Sequence, residues 1–210
     1  MSSAKGDAVT GAALLDLPRL ARGLPERPAP ELGPALDAAA RCFARYGITR
    51  TSMNDIAREL RVSRSNIYRQ LGSIDRTVRL LMAREIHDLV GDRLPVALGK
   101  AIGADVVISL IDEVVTFARE HPVVRKVVAD EPEIIGPYLV TDLTEVTAQV
   151  ADLLVPLLQE AMRTGLIRRQ DARSLAGWLV RIAVVLLLDP VESPQRPHLE
   201  QLLLPVLTPH

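Results

Sequence analysis

The 210-residue chain holds a single cysteine, Cys42, so no intramolecular disulfide can staple it. Aromatic residues make up only 3% against 48% apolar residues overall, so any core must be aliphatic. Few Tyr, Phe and Trp beside many Ala, Leu, Val and Arg favour helix over sheet. Long apolar runs are missing too: the longest, Ile182 to Leu188, is too short to span a bilayer. The N-terminus lacks the charged-then-apolar pattern of a signal peptide, and a cytoplasmic protein with no membrane partner is expected. The common catalytic signatures are absent as well. Gly99 and Gly103 lie too far apart for a phosphate loop and lack a following Lys-Ser/Thr, and neither Gly-x-Ser-x-Gly nor His-Glu-x-x-His occurs. His87, His121, His198 and His210 are scattered and form no metal signature with one cysteine. No enzyme, no cofactor and no metal is expected. Cys42 falls on or beside an apolar helix face and reads as a packed thiol.

Charge is present but unevenly spread. The net charge is −1, yet Pro34 to Arg93 holds 11 Arg and no Lys against 7 acidic residues, a balance of +4 that leaves −5 for the rest. A basic segment joined to an acidic remainder fits a DNA-reading module attached to something else. Residues 1–33 carry Pro18, Pro25, Pro28 and Pro30, a density that prevents a long helix, and read as a flexible N-terminal arm. The alternative is an arm whose Arg19, Arg22 and Arg27 reach phosphates or a minor groove.

Helical periodicity dominates from there on. Leu36, Ala39, Ala40, Phe43 and Tyr46 share one face of a helix from about Ala35, which Gly47 stops. Thr51 is placed to cap a second helix that buries Met53, Ile56, Ala57 and Leu60. Ser63 caps a third with Ile67 and Leu71 inward, and Gly72-Ser73 opens a fourth from about Ile74 to Leu94, with Pro95 beyond it. Further helices are expected from Ala104 to Glu120, Val123 to Val128, Tyr138 to Thr164, Asp171 to Leu188 and Arg196 to Val206. Asp130-Glu-Pro-Glu and Gly136-Pro137 read as loop, and Pro156 should kink or break the long helix. There is no strand pattern of any length.

The second and third helices have the spacing of a helix-turn-helix: a small Ala57 at the crossing, and apolar anchors at Ile56, Leu60, Val62 and Ile67. Outward on the third helix stand Arg64, Ser65, Tyr68 and Arg69, with Asn66 nearby: cations for phosphate and guanine, amides and hydroxyls for base edges. One position fits poorly. Arg61 sits where Gly is favoured for a left-handed turn, at a cost of roughly 1 kcal/mol.

These residues resemble the DNA-binding domain of the TetR family of bacterial transcriptional regulators. The family's Phe-Ala-x-x-Gly, Thr-[Thr/Ser]-x-x-x-Ile-Ala and Val-Ser-x-x-x-[Leu/Ile]-Tyr patterns are matched by Phe43-Ala44-Arg45-Tyr46-Gly47, by Thr51-Ser52-Met53-Asn54-Asp55-Ile56-Ala57, and by Val62-Ser63-Arg64-Ser65-Asn66-Ile67-Tyr68. Besides Arg61, Gln70 and Leu71 depart from the usual His/Tyr and Phe, and Ile74 replaces a common phosphate-contacting Lys. The resemblance implies an all-α fold, with a helix-turn-helix domain of three helices at 34–80 joined to a larger helical effector-binding and dimerisation domain at 81–210. It also implies a homodimer that binds a near-palindromic double-stranded DNA operator and is released by a small molecule. DNA contacts would come from Thr51, Ser52, Ser63, Arg64, Ser65, Asn66, Tyr68, Arg69 and Gln70, with Arg64 as the guanine reader.

Two more expectations concern the second domain. Between Trp178 and Leu188 only Arg181 is charged, and a helix apolar on nearly every side must be covered on nearly every side. A second copy, meeting the first through the last two helices, is the simplest cover. An aliphatic shell also fits a small hydrophobic effector, with Phe117, Tyr138 and Trp178 as candidate lining residues. The alternative is a helical DNA-binding protein without an effector; an enzyme on a helical scaffold would need a catalytic constellation that is missing.

Overall fold

In the computed structural model, residues 24–137, 143–189 and 194–209 are described. They form helices α1 (Gly33–Tyr46), α2 (Met53–Leu60), α3 (Arg64–Leu71), α4 (Ile74–Asp88), α5 (Leu94–Leu98), α6 (Asp105–Glu120), α7 (Pro122–Asp130), α8 (Pro132–Pro137), α9 (Leu143–Arg163), α10 (Ala172–Leu188) and α11 (Gln195–Leu207). No strand occurs among the described residues, so the fold is all-α. Two compact units share the chain: 24–89 with 116–144, and 90–115 with 145–210.

The first unit is built around α1, whose Ala35, Leu36, Ala38, Ala39, Cys42 and Phe43 are buried against Met53, Ile56, Ala57, Ile67, Leu71 and Leu81. Tyr46 departs from the expected apolar face: it is 44% exposed. At that end of α1 the inward space is taken by Gly47 and by the Glu131 carboxylate against it. Val123 and Val127 of α7 join the same core. Asp37, Arg84, Glu85 and His121 link α1, α4 and the start of α7 through contacts of 2.7, 3.0 and 3.5 Å. The hydrogen bond from His121 and the neighbouring Arg84 hold Glu85 below the usual glutamate range, against the effect of burial.

Three expectations about element ends are corrected here. The cap of α2 is Ser52, not Thr51: the Ser52 hydroxyl accepts from the Asp55 amide at 3.3 Å and the Asp55 carboxylate accepts from the Ser52 amide at 3.0 Å, a reciprocal capping box. The fourth helix does not run to Leu94. It ends at Asp88 and gives way to a π-turn, Leu89–Arg93, with Pro95 inside the next helix. Proline has no N–H for the carbonyl four residues back and its ring crowds that carbonyl, so the helix widens just before it. Finally, Pro132–Pro137 is helix rather than loop. Proline is tolerated in a first turn, and Glu133 there complements the helix dipole.

The second unit packs Val107, Ile108 and Ile111 of α6 and Ala151, Leu158 and Ala161 of α9 around Leu175, Ala176 and Leu179 of α10 and Leu199, Leu203 and Leu207 of α11. Pro156 lies within α9 without breaking it. Gly165 follows the end of that helix at φ 74°, with the Leu166 amide returning to the Ala161 carbonyl at 2.9 Å. Asp171 caps α10 through the Ser174 amide at 2.7 Å. Arg196 anchors α11 to α6, pairing with Asp105 and donating to the Ser109 hydroxyl at 3.1 Å.

Candidate nucleic-acid interface

The turn between α2 and α3 sets the angle at which α3 is presented. Arg61 adopts φ 60°, ψ 40°, the only non-glycine residue with positive φ among those described. Its amide bonds to the Arg58 carbonyl at 3.2 Å, and the next amide, of Val62, reaches back to Ala57 at 3.0 Å. This pair of bonds is a Schellman stop, with Val62 packing over Ala57. Ser63 then caps α3 by accepting from the Asn66 amide at 3.2 Å. Ile67 and Leu71 are wholly buried, which fixes the rotation of α3 about its axis.

That rotation leaves Arg64, Ser65, Tyr68 and Arg69 exposed and Asn66 and Gln70 half-buried. The Arg64 guanidinium lies 5.3 Å from the centre of the Tyr68 ring, a cation–π contact one helical turn apart. Its fork is therefore already ordered along α3, which lowers the entropy cost of a two-bond contact to a base. Gln70 donates its amide nitrogen to the Asn66 side-chain oxygen, so these two amides move as one polar unit. Asn66 keeps donors and Gln70 keeps an acceptor for a base edge. Together the six take up the part of the α3 surface that buried Ile67 and Leu71 leave free, with Arg64–Tyr68 along one side of it and Asn66–Gln70 along the other.

Two of the other candidates sit differently. Thr51 is 5% exposed and its hydroxyl donates inward to the Gly47 carbonyl at 2.5 Å, so it braces the α1–α2 turn instead of offering a free donor to a phosphate. Ser52 is exposed, but its hydroxyl is engaged with the Asp55 carboxylate at 2.5 Å. The side-chain and backbone hydrogen bonds from Ser52 hold Asp55 below the usual aspartate range. A phosphate that approached the hydroxyl would therefore face a negative carboxylate bonded to it. The exposed cations near this end are Arg45, Arg50 and Arg58. Arg27, weighed as part of a reaching arm, pairs with Asp88 at 2.8 Å; Arg19 and Arg22 lie outside the described residues. Ile74, noted above as standing in place of a common Lys, is half-buried against the α1–α4 core.

Sequence reasoning missed Glu131. Read as loop, it is wholly buried and accepts from the amides of Ile48 at 2.7 Å and Thr49 at 2.9 Å, and from the Thr49 hydroxyl. Burial pushes its carboxyl up, but the Thr49 hydroxyl, the two amides and the charge of Arg50 outweigh that and hold it below the usual glutamate range. Cys42 is buried as expected, and burial together with Glu59 and Asp55 raises its thiol pKa.

Of the candidate effector residues, Phe117 is partly buried, Trp178 is 42% exposed, and Tyr138 lies outside the described residues. A shallow cavity of about 340 Å³ in the second unit is lined by Met162, Arg163, Gly165, Ile167, Arg168, Arg169 and Pro209. Thr147 of α9 is buried and its hydroxyl has no hydrogen-bond partner among the described residues. No described helix is long and apolar enough to cross a membrane, and no group of metal-ligating side chains gathers among the described residues.

Comparison with known proteins agrees with this geometry. Residues 35–80 match the model of bacterial regulatory proteins of the tetR family. Over 152 residues, 72% of this chain and 77% of theirs, the chain is 28% identical to uncharacterized HTH-type transcriptional regulators from two strains of Mycobacterium tuberculosis. Its fold is that of the R. erythropolis transcriptional repressor QsdR from the TetR family, with a TM-score of 0.53 and 20% identity over 87% of this chain and 98% of that one. It is likewise similar to the TetR family repressor AlkX of a Dietzia species, with a TM-score of 0.51 and 19% identity over 84% and 98% of the two chains.

Proposed function

We infer that this chain, a member of the tetR family of bacterial regulatory proteins and a transcriptional regulator, is a cytoplasmic repressor that binds a near-palindromic operator as a homodimer and leaves it when a small hydrophobic effector binds. The observation that carries the reading is the free surface of α3, where an exposed Arg64 stacked on Tyr68 on one side and a paired Asn66–Gln70 on the other are held by buried Ile67 and Leu71. Arg64 reads guanine through O6 and N7, and the Asn66–Gln70 unit reads a neighbouring base edge. Ser63, Ser65, Tyr68 and Arg69 complete the interface, the last two on phosphates. Thr51 and Ser52 act through the shape of the turn that they brace and cap.

The dimer reading is supported by α10 and α11, on which Trp178, Val185, Leu202 and Leu204 are large apolar side chains 39–59% exposed. Trp178 and Val185 stand two turns apart on one face of α10, with Arg181 between them donating to the Gly177 carbonyl of its own helix at 2.9 Å. An apolar stripe of this kind marks an interaction surface. The aliphatic core of the second unit and the unpartnered Thr147 hydroxyl support an apolar effector with one polar group. Regulation by binding leaves no role for catalysis.

Selection of genomic fragments by the purified protein tests the reading. A near-palindromic sequence should be enriched, and Arg64→Ala should weaken binding to it by about 1–3 kcal/mol while relaxing preference at one position of each half-site. Recovery of fragments with no shared sequence at low salt would sink it.

A further inference from the structure

Glu131 lies between α7 and α8, more than 80 residues from the turn that it contacts. Its two oxygens take three donors: the amides of Ile48 and Thr49 and the hydroxyl of Thr49. These residues directly follow Gly47 and directly precede the segment that starts α2. Gly47 is required twice over: its φ is 89°, and a Cβ there would stand 2.5 Å from the Glu131 carboxylate. A buried carboxylate is costly unless its lone pairs are satisfied, and here they are satisfied largely by main-chain amides of one turn. The contact therefore fixes the backbone of the turn together with the Thr49 side chain. In a helix-turn-helix the first helix crosses the sugar–phosphate backbone while the second enters the groove. The turn held by Glu131 carries the exposed Arg50 and leads into the first amides of α2, which face that backbone in such a docking.

We propose that Glu131 is a positioning residue for DNA binding: by clamping the amides of Ile48 and Thr49 it holds Arg50 and the start of α2 in register with the phosphates. The proposal rests on the operator-binding reading above. It assigns to a residue outside the helix-turn-helix a share of the sequence-independent affinity and none of the base preference.

The test is Glu131→Gln, which keeps the shape but turns one acceptor oxygen into an amide that faces an N–H. Binding to the selected operator and to a scrambled duplex of equal length is followed by fluorescence anisotropy, at a temperature where circular dichroism shows both proteins folded. Affinity for both duplexes should fall together, by about tenfold, and the slope of log affinity against log salt should shrink by about one. A merely structural carboxylate would lower the melting temperature and leave affinity and slope of the folded protein unchanged, and that result would overturn the proposal. A loss confined to the operator would overturn it too, because the base-reading helix would then be what moved. If Glu131→Gln does not fold, Thr49→Val removes one donor and keeps both amides. It should lower both affinities by about threefold with a smaller drop in slope, and unchanged values would again overturn the proposal. Wild-type protein that binds neither duplex would refute the operator-binding reading instead.

Discussion

Arg61 offers a stability test with its sign fixed by geometry. At φ 60° and ψ 40° it closes the Schellman stop of α2, a position where a Cβ crowds the following carbonyl. An L residue in that conformation costs about 1–2 kcal/mol relative to glycine. Arg61→Gly removes the strain but adds backbone freedom to the unfolded chain, which takes back about 0.4–1 kcal/mol. The Arg61 side chain is exposed, so little packing is lost. The net expectation is a gain of about 0–1.6 kcal/mol, centred near 0.8, or roughly 2–3 °C at that centre if the whole chain unfolds as one cooperative unit. Urea titration followed by circular dichroism measures it. The order of stability should be Gly, then Asn, then the native Arg, then Val, because Asn tolerates the left-handed region and a β-branched side chain does not. Should Arg61→Gly prove destabilising, the strain assigned to this turn would be refuted, and with it the claim that the chain tolerates a poor residue in the turn between α2 and α3.

Trp178→Glu and Val185→Glu should each shift the protein from dimer to monomer in sedimentation and weaken operator binding without loss of helicity; a dimer that survives both places the interface elsewhere. Gly47→Ala meets both the positive φ and the Glu131 carboxylate, so it should destabilise by more than the ~1 kcal/mol of backbone strain alone, measured by urea titration. Acid should weaken the first unit in a defined window: Glu85 and Glu131 have native pKa values below the ordinary 4.5, so their contribution is full above that pH and is lost as the pH falls through the lowered values. Glu85→Gln should flatten that decline, and an unchanged acid limb would exclude Glu85 as its cause. A small apolar effector at 100 times its dissociation constant should stabilise the protein by roughly 2.7 kcal/mol and release the operator, seen together by thermal shift and anisotropy.

The helix-turn-helix was legible because its determinants are local. Ser63, Ser73 and Asp171 cap helices at the positions where their hydroxyl or carboxylate can reach an amide three residues on. Ile56, Ala57, Ile67 and Leu71 fall inward by periodicity alone. The misplaced cap shows how narrow the margin is. Thr51 and Ser52 are adjacent hydroxyls, and the one that caps is the one with an acidic residue three positions later, Asp55, to close the box. That signal was in the sequence. The helix at Pro132–Pro137 was partly signalled too, since a proline followed by Glu133 suits a first turn as well as a loop. Glu131 was not legible by any local rule. Its partners are two main-chain amides and a threonine hydroxyl some 80 residues earlier, and no spacing in the sequence marks such a contact.

The size of α3 gives the proposed homodimer its physical reason. The eight residues of α3 rise about 12 Å, the length of three to four base pairs. Within that span the exposed Arg64 can make one good bidentate contact and the half-buried Asn66–Gln70 pair one more. At about 1–3 kcal/mol each, one head discriminates by about 2–6 kcal/mol, whereas specific operators are preferred over other DNA by about 4–10 kcal/mol. Two heads on two half-sites double the discrimination and bring it into that range. Phosphate contacts cannot close the gap, because they strengthen every sequence alike. In the proposed homodimer the apolar stripe on α10 and the Arg64–Tyr68 side of α3 are therefore two parts of one requirement: the first would supply the second copy without which the second reads too few bases. A variant that stays monomeric should accordingly lose operator preference more than it loses general DNA affinity.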